Sequence, residues 1–192
     1  MSNLTSHLPE IWFSASQVST FWMCARRWAW QKIAGLRSPA GPSLQLGTDT
    51  HEQLEYWLRE GRQVNTMTDA GNIAMAGLHL LPMPGTDGLE VETEFFIEIG
   101  GHKFKGYKDF QILSRYPPLV GDHKTTSDFS WAKTPEDLIE DIQPCLYAAD
   151  AMFKSSSPDC DINWIYYRTR GARKAAKVHL RVTRGNERVL DY

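Results

Sequence analysis

Two short runs carry the residues best able to do chemistry. Gly106-Tyr107-Lys108-Asp109 is followed, thirteen positions after its aspartate, by Asp122-His123-Lys124-Thr125-Thr126. Each lies in an apolar, strand-like run, so two carboxylates and a lysine are offered from what read as adjacent strands. Paired carboxylates hold divalent cations through oxygen, and a nearby ammonium can hold a phosphate or orient a water. Together they point to metal-assisted phosphodiester hydrolysis. The plain alternative is an internal salt bridge of Lys124 with Asp122 or Asp109. A carboxylate inside an apolar strand is costly unless it is paired, hydrogen-bonded or metal-bound. Spacing alone leaves both readings open.

Three further groups could join such a site. His51 is a neutral imidazole able to ligate a metal, or a satisfied core histidine. Mg²⁺ prefers oxygen, whereas Mn²⁺ accepts a nitrogen ligand more readily. Gln143 and Tyr147 are four apart and share a helix face; an amide and a phenol there can hydrogen-bond phosphate oxygens or stack near a base, or simply form a half-buried face. Arg168, Arg170, Arg173, Lys174 and Lys177 fall within ten residues with no acid among them. They read as a phosphate-contacting patch or as a solvated turn, and Arg26 and Arg27 could extend the patch.

The elements that must position these groups follow from periodicity and punctuation. Ser14 or Ser16 caps a predicted helix to about Ile33, with Gly35 beyond its end. Val18, Phe21, Trp22, Ala25, Trp28 and Ala29 recur at helical spacing as its buried face. The segment 38–43 reads as a loop. A second helix spans about 45–60 and stops at Gly61; Leu54 and Leu58 put His51 on its core-facing stripe. A third helix is predicted over 68–81, before Pro82 and Pro84.

Strands are then expected over 91–99 and 102–113, joined by the Gly100-Gly101 hairpin signal, and over 119–125 after a Tyr116-Pro117-Pro118 turn. Alternation puts Asp122 and Lys124 on one face. Thr134-Pro135-Glu136-Asp137 starts a short helix ending near Asp141. A second helix then holds Pro144 in its first turn, where a missing N–H costs little. Strands over 163–168 and 178–182 complete an α/β or α+β domain with a central mixed sheet.

The bulk numbers permit this reading. At 192 residues and 42% hydrophobic, the chain suits one domain with a packed core. Residues 1–85 are mainly helical and 86–192 contain the sheet. Net charge is −2, so nucleic-acid binding would require basic residues gathered on one face. Cys24, Cys145 and Cys160 are scattered and odd in number, which favours a reducing compartment. No apolar run approaches the roughly 18 residues of a membrane span. Met1 to Glu10 has neither the basic start nor the apolar core of a signal peptide. A soluble cytoplasmic protein is expected.

The order of these features resembles the PD-(D/E)XK nuclease superfamily, in the RecB-like branch that includes CRISPR adaptation nucleases and phage recombination exonucleases. Ser16, Cys24, Arg26-Arg27-Trp28 and Gly35-Leu36 are similar to the family's opening segment. His51 follows Leu46-Gly47-Thr48-Asp49-Thr50, where the family places its helix histidine. Gly106 and Asp109 match G-x-x-D, Asp122 to Thr125 match D-x-K-T, and Gln143 and Tyr147 match Q-x-x-x-Y.

The resemblance implies a restriction-endonuclease-like core with an N-terminal helical region. It implies a metal-dependent DNA nuclease, an exonuclease acting on DNA ends in recombination, repair or phage replication. A structure-specific or CRISPR-adaptation-type endonuclease and a non-catalytic DNA-binding subunit are the alternatives. Asp109 and Asp122 would ligate Mg²⁺ or Mn²⁺ with the His123 backbone carbonyl and His51, and Lys124 would position or help deprotonate the attacking water. Gln143 and Tyr147 would hold the DNA strand. Glu92 or Glu94 is a candidate outer-sphere carboxylate. DNA is the implied partner, with a single-strand annealing protein as a possible recombination partner, in a bacterial or phage-infected cytoplasm.

Two departures stand out. Lys108 occupies a position that is usually apolar; normal alternation turns it away from Asp109 and onto an exposed sheet face. The trio of late cysteines that completes an iron–sulfur cluster in many relatives is missing, so no cluster is expected, and Cys24 reads as a small buried residue.

Overall fold

The computed structural model describes residues 11–36 and 41–184; Met1 to Glu10 and part of the expected 38–43 loop lie outside them. The described residues form a mixed α/β fold with a central sheet flanked by helices. A two-residue strand β1 (Trp12–Phe13) precedes helices α1 (Ala15–Met23), α2 (Ala25–Lys32), α3 (Pro42–Glu60) and α4 (Asp69–Met75). Then come strands β2 (Leu89–Ile99), β3 (His102–Ile112) and β4 (Leu119–Thr126), helices α5 (Pro135–Ile139) and α6 (Ile142–Ser155), and strands β5 (Asp159–Arg168) and β6 (Ala175–Thr183).

Local chemistry sets most of these ends. Pro42 opens α3, and Gly61 closes it in the left-handed conformation at φ 68°, which glycine adopts without a Cβ penalty. Thr134 and Asp137 form a reciprocal capping box on α5. The Asp141 carboxylate accepts from the Gln143 N–H at the start of α6, with Pro144 in the first turn.

The N-terminal helix departs from expectation. It is two helices broken at Cys24, whose backbone ends α1 and whose Sγ caps the Arg27 N–H of α2 at 3.4 Å. Cys24 is therefore exposed rather than a small buried residue. Phe21, Trp22 and Ala25 are also exposed, so the predicted buried stripe does not form. The predicted third helix is shorter, ending at Met75 before a separate 3₁₀ turn at Leu78–Leu80. β1 was invisible to periodicity because two residues have none.

β2, β3 and β4 run antiparallel in turn, β4 and β5 are parallel, and β6 is antiparallel to β5. The parallel pair is connected through α5 and α6, as a crossover requires. β5 is buried on both faces along 160–167. Ile162 and Trp164 pack under α6 with Phe95, Val120 and Leu146. Ile165 and Tyr167 pack under α3 and α4 with Leu54, Leu58 and Phe110. A wholly buried leucine such as Leu54 contributes roughly 2 kcal/mol.

The β2–β3 hairpin changes faces midway. Leu89 and Val91 pack on the α3 side, whereas Phe95, Ile97 and Ile99, of the same parity, pack on the α6 side. In β3, Phe104 lies with the α6 cluster, and Phe110 and Ile112 lie with the α3 cluster. The switch falls at Glu92, which has φ 52°, and at Asp109 opposite it. The strands stay in one register on both sides of that point. A left-handed glutamate inside a strand is sterically unfavourable and is held by its surroundings.

The switch corrects the expectation for Lys108. Its side chain does turn away from Asp109, but toward α6, where it is wholly buried rather than on an exposed sheet face. Its ammonium pairs with the buried Asp150 carboxylate and donates to Gln111 Oε1 at 2.8 Å. Lys154 also reaches Asp150, at 3.0 Å. Lys108→Met should cost about 3 kcal/mol in denaturant unfolding, because it leaves a buried carboxylate short of its nearest cation. A cost below about 1 kcal/mol would show that Lys154 alone suffices.

Candidate active site

β3 and β4 share backbone bonds only from Phe110 opposite Gly121 to Ile112 opposite Leu119. The next pair along would be Asp109 and Asp122, and there the ladder stops. The Asp109 carboxylate accepts instead from the His123 backbone N–H, at 2.5 Å. Since β2 occupies the other edge of β3, β1 must lie on the same edge as β4, and it pairs only at Lys103 and Phe104. Residues 105–109 thus border an opening between β1 and β4, and the candidate site is built there. Gly121 helps shape it: a Cβ at that position would lie 1.9 Å from the Phe110 ring, which crosses the strand.

Three elements aim side chains into this opening. β4 supplies Asp122 and Lys124 on one face, with Lys124 Nζ 2.5 Å from Asp122 Oδ2 and 4.9 Å from the Trp164 ring centre. α6 supplies Gln143, whose Nε2 donates to Asp122 Oδ1 at 3.1 Å and to the Tyr147 hydroxyl at 2.7 Å. Tyr147 donates to the Tyr107 carbonyl, closing part of the open edge. From the opposite face, α3 brings His51 Nδ1 to 3.7 Å from Asp109 Oδ1. Leu54 and Leu58 are buried on the stripe expected for His51, which itself is half-buried. An N–H and C=O of one extended residue point the same way, so the His123 carbonyl faces the opening with its N–H.

Electrostatics separate the two aspartates. Burial would raise Asp109, but the nearby His51 imidazole and the hydrogen bond from the His123 backbone N–H hold it below the usual carboxylate range. Asp122 is pushed up to about 7 by burial and by the charge of Asp109. Burial opposes the Lys124 ammonium, yet Asp122 keeps its pKa above normal. The shared ion pair would lower Asp122 if it acted alone; burial and like-charge repulsion win there. Burial holds the His123 imidazole neutral, at about 4. Its ring packs on His51, Phe110 and Tyr167. Through its ring, His123 is a packing residue.

The donors suit a hard divalent cation. Two like-charged carboxylates repel across a buried gap, and Asp122 Oδ2, though ion-paired, accepts no hydrogen bond. Among the described residues, no three His, Cys, Asp or Glu side chains converge tightly enough to hold an ion by themselves. Oxygen-rich, incomplete protein shells of this kind are what Mg²⁺ takes, the rest being water or phosphate.

Other candidates fall differently. Tyr147 is buried, so its contacts are with Asp122 and the Tyr107 carbonyl rather than with an exposed surface. Arg168, Arg170, Arg173 and Lys174 lie at the β5–β6 turn, which the Thr169 N–H ties to the Thr126 carbonyl at 2.8 Å. Arg168 folds back on the Ala172 carbonyl, and Arg173 on the Thr169 carbonyl and Asp69. Arg170 and Lys174 are exposed. Glu94 is held by the Tyr107 hydroxyl at 3.1 Å. Glu92 is pushed up to about 7 by burial, Asp109 and Glu55. Glu55 was missed, although His51, Glu55 and Arg59 recur at four-residue spacing. Asp150 was missed too; it continues the stripe of Gln143 and Tyr147.

Residues 12–77 match the sequence profile of the PD-(D/E)XK nuclease superfamily. The match covers about a third of the chain and marks a similarity to this superfamily. The matched stretch includes His51 and ends before Asp109. No curated protein sequence matches the chain. Among solved structures, the chain is similar to a Eubacterium rectale protein described as a candidate exonuclease. The two are 14% identical over 91% of this chain and 74% of that one, with a TM-score of 0.62, a likeness of fold. A protein designated SSO0001 matches at 18% identity over 96% of this chain and 76% of that one, with a TM-score of 0.45. Among the described residues, no helix is long and apolar enough to cross a membrane.

Proposed function

We propose that this chain is a PD-(D/E)XK nuclease, a divalent-metal-dependent deoxyribonuclease that degrades DNA from its ends. The observation that carries the reading is the break in the β3–β4 ladder, where Asp109 and Asp122 face one gap with Lys124 beside them. Asp109, Asp122, the His123 carbonyl and His51 would hold Mg²⁺ or Mn²⁺. Bound there, the ion supplies Lewis-acid charge to a phosphate oxygen. Lys124 stays an ammonium because Asp122 keeps its pKa high. It therefore acts as a donor that orients water and neutralises charge on the phosphate, not as a base. Gln143 and Tyr147 hold the Asp122 carboxylate in place from behind. The end-directed activity draws support from the candidate exonuclease that shares the fold.

The test is digestion of end-labelled linear DNA beside closed circles, with Mg²⁺, Mn²⁺ or EDTA. Linear DNA should lose nucleotides with either metal, while EDTA should stop the loss and circles should survive. Cleavage of closed circles would replace the exonuclease with an endonuclease. Binding without cleavage under every metal would leave only a DNA-binding subunit.

A further inference from the structure

The α1–α2 segment concentrates chemistry that the candidate site does not use. Between Glu10 and Asp49 the sequence has no acid, yet it holds Arg26, Arg27, Lys32 and Arg37 in a chain of net charge −2. The same segment exposes large aromatic rings: Trp22 is 70% exposed and Trp30 51%. The Arg26 guanidinium sits 4.8 Å over the Trp30 ring. Nothing in α2 is buried. Exposed apolar surface of this density marks a binding face.

Its place in the fold connects it to the candidate site. Ala15, at the start of α1, packs in the core that contains Tyr147. At the start of α3, a Cβ on Gly47 would lie 3.0 Å from Thr125 Oγ1. α1 thus starts on the α6 side of the sheet, and α3 lies against the end of β4 that carries Lys124. Cations without acids select a polyanion, and exposed indoles select a ligand with open π faces. A duplex buries its base faces, whereas a single strand presents both phosphates and bases.

We propose that α1 and α2 form a stacking platform for unpaired bases, on which a single-stranded DNA segment lies as it runs toward Asp122 and Lys124. The substrate assignment rests on the nuclease reading above; the binding surface does not.

The experiment uses the full chain in EDTA with fluorescein-labelled oligothymidine and, separately, a blunt duplex. Oligothymidine should bind more tightly than duplex and quench tryptophan fluorescence. The double variant W22A/W30A should weaken oligothymidine binding by about tenfold or more. Duplex binding and thermal unfolding should not change, since both rings are at the surface. W22F/W30F should retain most of the binding. Unchanged oligothymidine affinity in W22A/W30A overturns the proposal, as does an equal loss for both DNA forms. A wild-type dimer that W22A/W30A dissolves without affecting DNA binding would assign the face to a second copy and also overturn it. Tryptophan-dependent binding without Mg²⁺-dependent cleavage would leave the platform standing and remove the nuclease reading. Cleavage without tryptophan dependence would do the reverse.

Discussion

Lys124→Ala should reduce cleavage of linear DNA by about 10²–10³-fold, the scale of losing one charge-stabilising donor, while the protein stays folded. The side chain lies 2.5 Å from Asp122 Oδ2 and is half exposed at the mouth of the opening. Removing it takes away the ammonium that would face the phosphate. It also removes the cation paired with a buried carboxylate, which would ordinarily destabilise the fold. Asp122 avoids most of that penalty: burial and Asp109 already push its pKa up to about 7, so without Lys124 it takes a proton and becomes neutral. Lys124→Arg should rescue poorly, since a planar guanidinium cannot replace a compact ammonium at one oxygen. Single-turnover cleavage of labelled duplex, beside a thermal melt, reads both effects. A Lys124→Ala protein that cleaves within about tenfold of the parent would remove the lysine from the chemistry.

The second large effect is on stability. Saturating Mg²⁺ should raise the unfolding midpoint, and the increment should be larger at pH 8 than at pH 6. The sign follows from the aspartates and His123. Asp122 has its folded pKa raised to about 7, against roughly 3.9 unfolded. The fold therefore binds the extra proton, and this group's contribution falls as pH rises from about 4 to 7. His123 acts the other way: lowered to about 4, it adds stability as pH rises toward its unfolded value of roughly 6.5. Asp109, held below normal, contributes above about pH 4, and that contribution is lost as pH falls further.

By pH 8 the whole cost of ionising Asp122 is present, and there a divalent cation relieves it without displacing a proton. At a hundredfold excess over Kd, binding is worth about 2.7 kcal/mol, or about 5–10 °C for a chain of this size. Asp122→Asn should lose most of the increment. Equal increments at the two pH values, or an Asp122→Asn protein that keeps its increment, would separate the pair from metal binding.

Much of the fold was legible where spacing was regular. The hairpin at Gly100-Gly101, the end of α3 at Gly61 and the restart of α6 before Pro144 each follow from one residue's backbone chemistry. Asp109, Asp122, Lys124, His51, Gln143 and Tyr147 were named by type and order, and they converge. Illegible features were those set by neighbours rather than by period. Two-residue β1 exists only because β3 is beside it. Lys108 reads as an outward cation until the face switch at Glu92 carries it under α6 to Asp150, forty-two positions away. Phe21 and Trp22 read as core because helical spacing cannot reveal that, among the described residues, no element covers them.

The opening in the sheet gathers its walls from distant parts of the chain. β1 joins β3 across some ninety residues, and Asp122 takes its hydrogen bonds from Gln143 and Tyr147, beyond the next turn and helix. Contacts that span long loops form late in folding. A chain still on the ribosome can make α3 and the β2–β3 hairpin early, but it cannot hold Asp122 in place until α6 has been synthesised and released. The topology therefore delays assembly of the candidate site until α6 has emerged, and a fragment ending before α6 should lack the groups that hold Asp122.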